Sequence, residues 1–305
     1  MTETSTKKEK LIHAINWYPG HIAKAEKQLK EKISLIDFVI EVRDARIPFS
    51  SHHNQLRDWL GAKPYISILN KSDLADVKKA ELAKTTIKNQ GEAYSVVLVN
   101  SQAASLTSSL IKDINTLAEL ATKKFKDKGI LKRPARIMVL GYPNVGKSTL
   151  INKLSKTKKA KVENRPGVTV RQQWIKVNTE QEILLLDTPG IIPTKLYSED
   201  QAIKLALCNC VSAKAFDAYE LLLHAIPFID DLYPNLISNY YGVENYKSLG
   251  ASADELLSDS SVSKFIETVA LKKGWLQKGE ADMERASLKI ITDFREQKFG
   301  FLSLE

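Results

Sequence analysis

The chain has 305 residues, a formal net charge of +9 and two cysteines, so it is long enough for two domains, and its basic balance favours polyanionic partners without identifying one. Cys208 and Cys210 have no second pair of metal-binding residues near them in sequence, which argues against a disulfide framework and a zinc site. The opening residues lack the apolar core of a signal peptide, and no apolar run approaches the roughly 20 residues that cross a bilayer, so we expect a cytoplasmic protein with no membrane partner.

Apolar runs rich in β-branched residues alternate with amphipathic stretches over the first two thirds of the chain. The runs that predict strands are 36–42, 64–70, 94–100, 135–141, 174–177 and 182–187, and helical patterns at 80–90 and 109–125 lie between them. This alternation predicts a mostly parallel sheet covered by helices. After about residue 200 helical patterns dominate, which predicts a second, helical domain.

The second predicted strand ends in Asn-Lys-Ser-Asp, which as an isolated tetrapeptide is an ordinary turn. The Asp73 carboxylate can accept hydrogen bonds from N1–H and the exocyclic amine of guanine, a donor pair that adenine does not present. Asn70 can bond the base and tether a phosphate loop, while the stem of Lys71 can cover a ring face. A backbone N–H at the end of the third strand could meet the guanine O6. The predicted base-side contacts are Asn70, Lys71, Ser72, Asp73, Asn100 and Ser101.

The fourth strand runs into GYPNVGKS at 141–148, which fits the phosphate-binding pattern G-x-x-x-x-G-K-[ST] between a strand and a helix. Gly141 and Gly146 allow a tight turn whose N–H groups face phosphate oxygens, and the helix N-terminus adds its dipole. Lys147 would contact the β and γ phosphates, and the Ser148 hydroxyl would bind Mg²⁺. The predicted nucleotide contacts of this segment are Asn144, Val145, Gly146, Lys147, Ser148 and Thr149.

Two later segments supply the remaining phosphate and metal contacts. Asp187 ends an apolar strand, where a carboxylate can hold the metal through its water shell, and the Gly190 N–H can meet the γ phosphate. Thr169 could reach Mg²⁺ and the γ phosphate when its loop closes. Both segments also consist of ordinary loop residues, so their assignment depends on their place after the phosphate loop. The predicted metal ligands are Ser148, Thr169 and Asp187.

The base-reading motif precedes the phosphate loop, which reverses the order of a Ras-like chain. One site can still form, because the loops that follow parallel strands meet at the carboxyl edge of a sheet. Chain termini that lie close together make circular permutation tolerable, and the lysine-rich stretch 122–134 would join the original ends. We therefore predict an α/β fold, a circularly permuted Ras-like P-loop GTPase domain with a second, all-helical C-terminal domain.

This order of motifs resembles the circularly permuted GTPases of the ribosome biogenesis GTPase A (YlqF-like) family. The resemblance rests on residues 17–25, 42–51, 70–74, 141–149, 166–169, 187–190 and 293–305. It implies GTP hydrolysis to GDP, coupled to late assembly of the large ribosomal subunit, with a C-terminal domain that contacts rRNA and with no DNA partner. The implied organisation is an N-terminal extension at 1–16, a GTPase domain at 17–200 and a helical, RNA-binding domain at 201–305.

The catalytic assignments depart from the Ras pattern, because Ile191 stands where Ras has the glutamine that orients the attacking water. The resemblance implies His21 as the water-positioning group beside Lys147, and imidazole can take that part near neutral pH. From the residues alone, a histidine that orients a helix start is an equal alternative. Asn144 resembles the phosphate-loop asparagine of potassium-stimulated GTPases, so K⁺ is a candidate cofactor beside Mg²⁺. A loop-stabilising role for Asn144 is the alternative.

The C-terminal segment carries basic residues interleaved with a tryptophan: Lys272, Lys273, Trp275, Lys278, Arg285, Lys289, Arg295 and Lys298. This mixture could meet RNA phosphates and stack a base, or it could form an ordinary solvated helix surface. The alternative to a GTPase that acts in assembly is a GTP-gated RNA-binding or scaffold protein in which hydrolysis is incidental.

Overall fold

The computed structural model describes residues 30–126, 133–155, 173–178, 182–187, 198–249 and 259–305. These residues form two compact units. The first holds the described residues up to 187 together with Glu305, and the second holds 198–304. The division therefore falls between residues 187 and 198.

The described part of the first unit contains a sheet of six strands: β1 (Phe38–Asp44), β2 (Tyr65–Asn70), β3 (Ser95–Val99), β4 (Ala135–Leu140), β5 (Gln173–Asn178) and β6 (Glu182–Asp187). Their order across the sheet is β3-β2-β1-β4-β6-β5. All neighbouring strands are parallel except β5, which pairs antiparallel with β6. The mostly parallel sheet is confirmed, and each strand coincides with one of the predicted apolar runs.

The central strand β1 is buried along its whole length, as expected for a strand that pairs with neighbours on both sides and has both faces covered. Its apolar residues reach the core, but it also buries Glu41 and Arg43. The Arg43 Nε donates to Glu41 Oε2 at 2.7 Å, so each buried charge has a partner.

The helices of this unit include α1 (Leu56–Leu60), α2 (Val77–Asn89), α3 (Ser108–Lys126) and α4 (Lys147–Ser155). Helix α2 begins after Asp76, whose carboxylate accepts the Lys79 N–H at 3.0 Å and so caps the first turn. Its buried residues, Ala80, Ala83 and Ile87, recur at the three- and four-residue spacing of one helix face. Helix α4 begins at Lys147 and therefore starts directly at the predicted phosphate loop.

The second unit is built mainly from helices: α5 (Glu199–Leu207), α6 (Ala218–Leu232), α7 (Leu236–Tyr241), α8 (Asp259–Lys273) and α9 (Met283–Arg295). Helix α9 packs against both α6 and α8. A short hairpin, β7 (Leu276–Gln277) and β8 (Glu280–Ala281), joins α8 to α9 and adds to the predicted helices. Its turn residues Lys278 and Gly279 have φ of 53° and 88°, the conformation of a tight two-residue hairpin.

Buried polar contacts hold the helices of the second unit together. The Tyr241 hydroxyl donates to Asp293 Oδ2 at 2.7 Å and so joins α7 to α9. Burial, together with this bond, raises the pKa of Tyr241 well above its usual range. The Asp230 carboxylate accepts the Asn235 N–H and the Asn245 amide, both at 2.8 Å.

None of the described helices combines the length and the apolar character that a membrane crossing requires.

Candidate nucleotide-binding site

The predicted base and phosphate loops lie at one edge of the sheet. In the register of the strands, Asp44 at the end of β1 is opposite Asn70 at the end of β2, and Asn70 is opposite Val99 at the end of β3. Strand β4 is parallel to β1 and leads into the phosphate loop. The loops after these four strands therefore leave the same carboxyl edge, where open α/β sheets bind ligands.

Asn70 joins three of these loops through its side-chain amide. Its Nδ2 donates to the carbonyl of Val145 in the phosphate loop at 2.7 Å. Its Oδ1 accepts the N–H of Ser101 at 3.1 Å and the Ser101 hydroxyl at 2.7 Å. The residue is 2% exposed, so these contacts satisfy a polar group that has left water. The structure thus brings together three segments that the sequence placed far apart.

The two phosphate-loop glycines lie where a side chain would collide with neighbouring loops. Gly146 has a φ of +99°, and a Cβ on it would lie 2.1 Å from Asn70 Nδ2. A Cβ on Gly141 would lie 2.2 Å from the carbonyl oxygen of Val42 in β1. The glycines are therefore required by the close approach of the loop to β1 and β2, in addition to the turn that was predicted.

The remaining phosphate-loop residues keep the predicted strand-to-helix geometry. The Lys147 ammonium donates to the carbonyl of Tyr142 at 2.7 Å, which folds the side chain back across the loop. Asn144 has a φ of 57°, a left-handed conformation that asparagine tolerates better than most residues. Ser148 and Thr149 are half-buried in the first turn of α4. The first N–H groups of an α-helix point away from its own carbonyls, so the start of α4 is favourable for an anion.

The base-reading loop turns sharply after β2. Lys71 has a φ of 59°, and a short 3-10 turn over Ser72–Leu74 follows it. The Asp73 side chain is exposed at this edge of the sheet, whereas Lys71 is half-buried. The Lys71 ammonium lies 2.8 Å from Oδ2 of the buried Asp44. The Lys71 side chain is therefore held by Asp44, which lies at the end of the neighbouring strand β1.

Asp44 and Arg46 lie in VRDARIP and are not among the predicted site residues, because in sequence they fit a turn cap or a surface ion pair equally well. The structure buries both, with Arg46 Nε 2.9 Å from Asp44 Oδ1 and Arg46 Nη2 2.8 Å from Oδ2. Burial alone would raise the pKa of Asp44, but Arg46 and Lys71 outweigh it and hold the pKa well below its usual range. The available signal was the place of VRDARIP directly after the first predicted strand.

The turn after β3 uses its polar groups internally. The Asn100 side-chain oxygen accepts the N–H of Gln102 at 2.8 Å and that of Ala103 at 3.2 Å. The Ser101 N–H donates to Asn70, as described above. Asn100 therefore shapes its own turn in this arrangement, and the contact predicted between this turn and the guanine O6 stays a prediction.

The metal side of the site is described only in part. Asp187 ends β6 opposite Val139 of β4, so its backbone lies beside the strand that leads to the phosphate loop. His21, Thr169 and Gly190 fall outside the described residues. Within those residues no cluster of three or more His, Cys, Asp or Glu side chains is suited to a metal ion. Mg²⁺ keeps several waters and takes few protein oxygens, so the Ser148 hydroxyl and a carboxylate at 187 fit its preferences.

A carboxyl edge at which one asparagine joins a guanine-type turn to a P-loop defines a P-loop GTPase, here with its motifs in permuted order. Residues 136–247 match the family model described as 50S ribosome-binding GTPase. Ribosome biogenesis GTPase A of Bacillus licheniformis is 35% identical over 95% of this chain and 98% of its own length. The protein of that name from Thermotoga maritima is 31% identical over 95% of this chain and 94% of its own. The chain belongs to the ribosome biogenesis GTPase A family.

Solved structures agree with this assignment. The GNP-bound YlqF from T. maritima is 28% identical, covers 92% of this chain and 97% of its own, and superposes with a TM-score of 0.60. The GDP-bound TM YlqF gives 28% identity, a TM-score of 0.59 and coverage of 91% and 98%. The predicted family, the permuted GTPase fold with a helical C-terminal region, and the GTPase activity are thereby confirmed.

Proposed function

We propose that this GTPase acts in late assembly of the large ribosomal subunit in the cytoplasm, where GTP binding admits it to the maturing subunit and hydrolysis to GDP releases it. The observation that carries the nucleotide part is the amide of Asn70, which joins the phosphate loop and two base-side loops at 2.7 to 3.1 Å. The ribosomal part follows from membership of the family, whose relatives carry ribosome biogenesis in their names.

Guanine selection is proposed for the loop at 70–73. The exposed Asp73 carboxylate would accept both the N1–H and the exocyclic amine of guanine, while the Lys71 stem covers a ring face. Adenine presents the N1 acceptor and a C2–H at these positions, so the Asp73 carboxylate would find no hydrogen-bond donor there and would favour guanine. Asn70 would hold this loop at a fixed distance from the phosphates, since its amide already bonds to the phosphate loop.

Phosphate binding is proposed for the loop at 141–148 and the first turn of α4. The Lys147 ammonium would leave the Tyr142 carbonyl and bind oxygens of the β and γ phosphates. The backbone N–H groups in the first turn of α4 would face the same phosphates. Ser148, Thr169 and Asp187 would hold Mg²⁺, which neutralises phosphate charge when bound. Gly190 would contact the γ phosphate. Asn144, with its left-handed backbone, would direct its amide oxygen towards a K⁺ ion beside the phosphates.

Water activation is proposed for His21. The residue after Gly190 is Ile191, whose aliphatic side chain cannot hold a water molecule. An imidazole can accept a hydrogen bond from the attacking water near neutral pH, and a positioned group of this kind contributes a factor of about 100 or more to the rate. We therefore expect slow turnover wherever His21 is kept away from the γ phosphate.

Contact with rRNA is proposed for the exposed basic residues of the helical unit. Arg285 and Lys289 are four residues apart, so they lie on the same exposed face of α9, and Lys278 is exposed at the hairpin turn. Arg295, in contrast, donates to two carbonyls at the end of α5, at 2.7 and 3.0 Å. It therefore caps a helix and has fewer donors left for RNA phosphates.

The decisive experiment measures GTP hydrolysis by the full chain in potassium buffer, with and without large ribosomal subunits. Wild type is compared with His21→Ala and with His224→Ala, a matched change at a partly exposed histidine of α6. We expect subunits to stimulate turnover, His21→Ala to abolish the stimulation and His224→Ala to retain it. The ribosomal proposal would be contradicted if large subunits neither bound the protein nor changed its rate of GTP hydrolysis. Assembly that survives loss of turnover in cells would favour a binding role instead.

A further inference from the structure

We propose that Asp44 is a positioning residue for the guanine base: its carboxylate, fixed by Arg46, anchors the Lys71 ammonium so that the Lys71 stem lies where the ring face arrives. The inference rests on the base-reading role proposed above for residues 70–73, and it adds residues of the preceding strand and loop to that site. It assigns Asp44 and Arg46 no contact with the nucleotide itself.

The carboxylate is held rigidly before it meets Lys71. Arg46 contacts both carboxylate oxygens through Nε and Nη2, at 2.9 and 2.8 Å, and its backbone N–H donates to Oδ1 at 3.1 Å. The Asp44 N–H donates to the Ser51 hydroxyl at 3.0 Å. Asp44 is 0% exposed. A carboxylate with bidentate contacts and no solvent around it has one orientation available.

The lysine is held at both ends. Its ammonium lies 2.8 Å from Asp44 Oδ2, and its backbone has the left-handed conformation that begins the base-reading turn. The Lys71 side chain keeps 21% of its surface exposed, so part of the stem remains available to a ligand. The neighbouring backbone reinforces the arrangement, because the Ala45 N–H donates to the Asn70 carbonyl at 2.7 Å.

Charge balance explains why two cations share one carboxylate. A buried carboxylate needs compensation, and Arg46 alone supplies it. The second cation leaves one excess positive charge at the edge of the sheet where the nucleotide would lie. Lys71 is therefore held by a carboxylate whose charge Arg46 also balances. A side chain held in this way loses less conformational freedom when a ligand packs against it, which is the physical basis of preorganisation.

Glu41 provides a control that distinguishes positioning of Lys71 from a purely structural role of Asp44. This residue is also a buried carboxylate of β1, with Arg43 at 2.7 Å and His52 at 2.7 Å, whereas Lys71 pairs with Asp44. Glu41→Gln therefore removes a matched buried charge from the same strand. If Asp44 only stabilised the fold, then Asp44→Asn and Glu41→Gln would have the same effect on nucleotide affinity.

The test measures the affinity of the full chain for GDP and for inosine diphosphate, which lacks the exocyclic amine that Asp73 would read. The variants are Asp44→Asn, Lys71→Met, their double mutant and Glu41→Gln. We expect Asp44→Asn and Lys71→Met each to weaken both nucleotides by about tenfold, with the ratio of the two affinities unchanged. The double mutant should be no weaker than Lys71→Met, because both changes release the same stem.

Three outcomes would overturn the inference. The Lys71→Met variant could bind GDP as tightly as wild type, or the losses of affinity in the two single variants could multiply in the double mutant. The third outcome is that Glu41→Gln lowers GDP affinity as much as Asp44→Asn does. Lys71→Met keeps the stem and changes a partly exposed side chain, so it decides the question even if Asp44→Asn fails to fold. A wild-type chain that does not bind GDP would instead contradict the proposed function and leave this contact a structural ion pair.

Discussion

The two units bury the same kind of polar contact for different purposes. In the sheet unit, the Asn70 amide bonds to a residue 75 positions away and fixes loops whose own backbones would carry the ligand. In the helical unit, the Tyr241 hydroxyl bonds to Asp293, 52 positions away, and joins packed helices. A buried hydrogen bond between distant residues therefore says little about function until one asks what it holds in place. We expect loss of the Asn70 contact to lower ligand affinity and loss of the Tyr241 contact to lower the free energy of unfolding.

The largest effect is expected from Asn70→Ala, which removes one bond to the phosphate loop and two to Ser101. Three contacts of about 1 kcal/mol each correspond to roughly a 100-fold loss of GDP affinity in isothermal titration calorimetry. Asn100→Ala is the matched control, because its side chain closes only its own turn and the loss should stay within about fivefold. Equal losses in the two variants would mean that Asn70 has no special coupling role.

Gly146→Ala should reduce GDP affinity by about tenfold or more, since the added Cβ would lie 2.1 Å from Asn70 Nδ2 and push the loops apart. Gly91 provides the control: its φ of +71° strains an alanine in a similar way, but nothing lies within 4 Å of the added Cβ. Gly91→Ala should therefore cost about 1 kcal/mol of stability and leave affinity unchanged. Affinity that survives Gly146→Ala would show that the close approach is dispensable.

Acid sensitivity should lie in the sheet unit, at His53. Burial holds the pKa of His53 at about 4, below its ordinary 6.5, and the nearby Glu41 charge only partly opposes this. The folded chain thus favours neutral His53, and the stability is fully present above pH 6.5 and is lost as pH falls towards 4. We expect His53→Gln to remove about 2 kcal/mol of this pH dependence in denaturant titrations.

A second buried group, which lies in β1, sets the lower limit of the pH range for that experiment. Glu41, whose pKa is lowered from 4.5 to about 2 because its cationic partners outweigh burial, loses its stabilising charge only below pH 4.5, so its contribution falls in a lower window. A pH profile between 7 and 4 that is identical in wild type and His53→Gln would contradict the assignment.

The smallest effect is expected from Tyr241→Phe. Loss of the hydroxyl leaves the Asp293 carboxylate without one donor, which should lower the free energy of unfolding of the helical unit by about 1.5 kcal/mol. GDP affinity should not change. Tyr240→Phe removes the hydroxyl of the more exposed neighbouring ring and should be nearly neutral. The comparison between the units fails if Tyr241→Phe weakens GDP binding more than it weakens the fold.

Much of the sheet could be predicted from the sequence because strands buried on both faces are near-continuous apolar runs. Strand β1 was predicted at 36–42 and found at Phe38–Asp44, and β6 was found at its predicted bounds. The β7–β8 hairpin was missed, since strands of two residues are too short to show a periodic pattern. Turn residues such as Lys278 and Gly279 carried its only local signal.

The local backbone geometry of the site could be predicted where a single motif specifies it. The P-loop spacing predicts a tight turn through Gly146 and a helix from Lys147, and the structure has both, whereas the contacts of Gly146, Lys147 and Ser148 with a nucleotide stay a prediction. The contact between Asp44 and Lys71 was not predictable, since it depends on the register that places Asp44 opposite Asn70 across two strands. Pairing register is a tertiary property, and no spacing within either segment reveals it.

The place of β1 in the sheet has a consequence for synthesis of the chain. One edge of β1 pairs with β2 and the other with β4, and β4 begins only at Ala135. At about 5 to 20 residues per second, β1, β2 and β3 therefore emerge from the ribosome several seconds before β4 can cover the second edge. During that interval a strand that is fully buried in the finished protein presents unpaired backbone groups to its surroundings. The part of the sheet formed by β1, β2 and β3 therefore has an open strand edge, which favours non-native pairing, until β4 covers it.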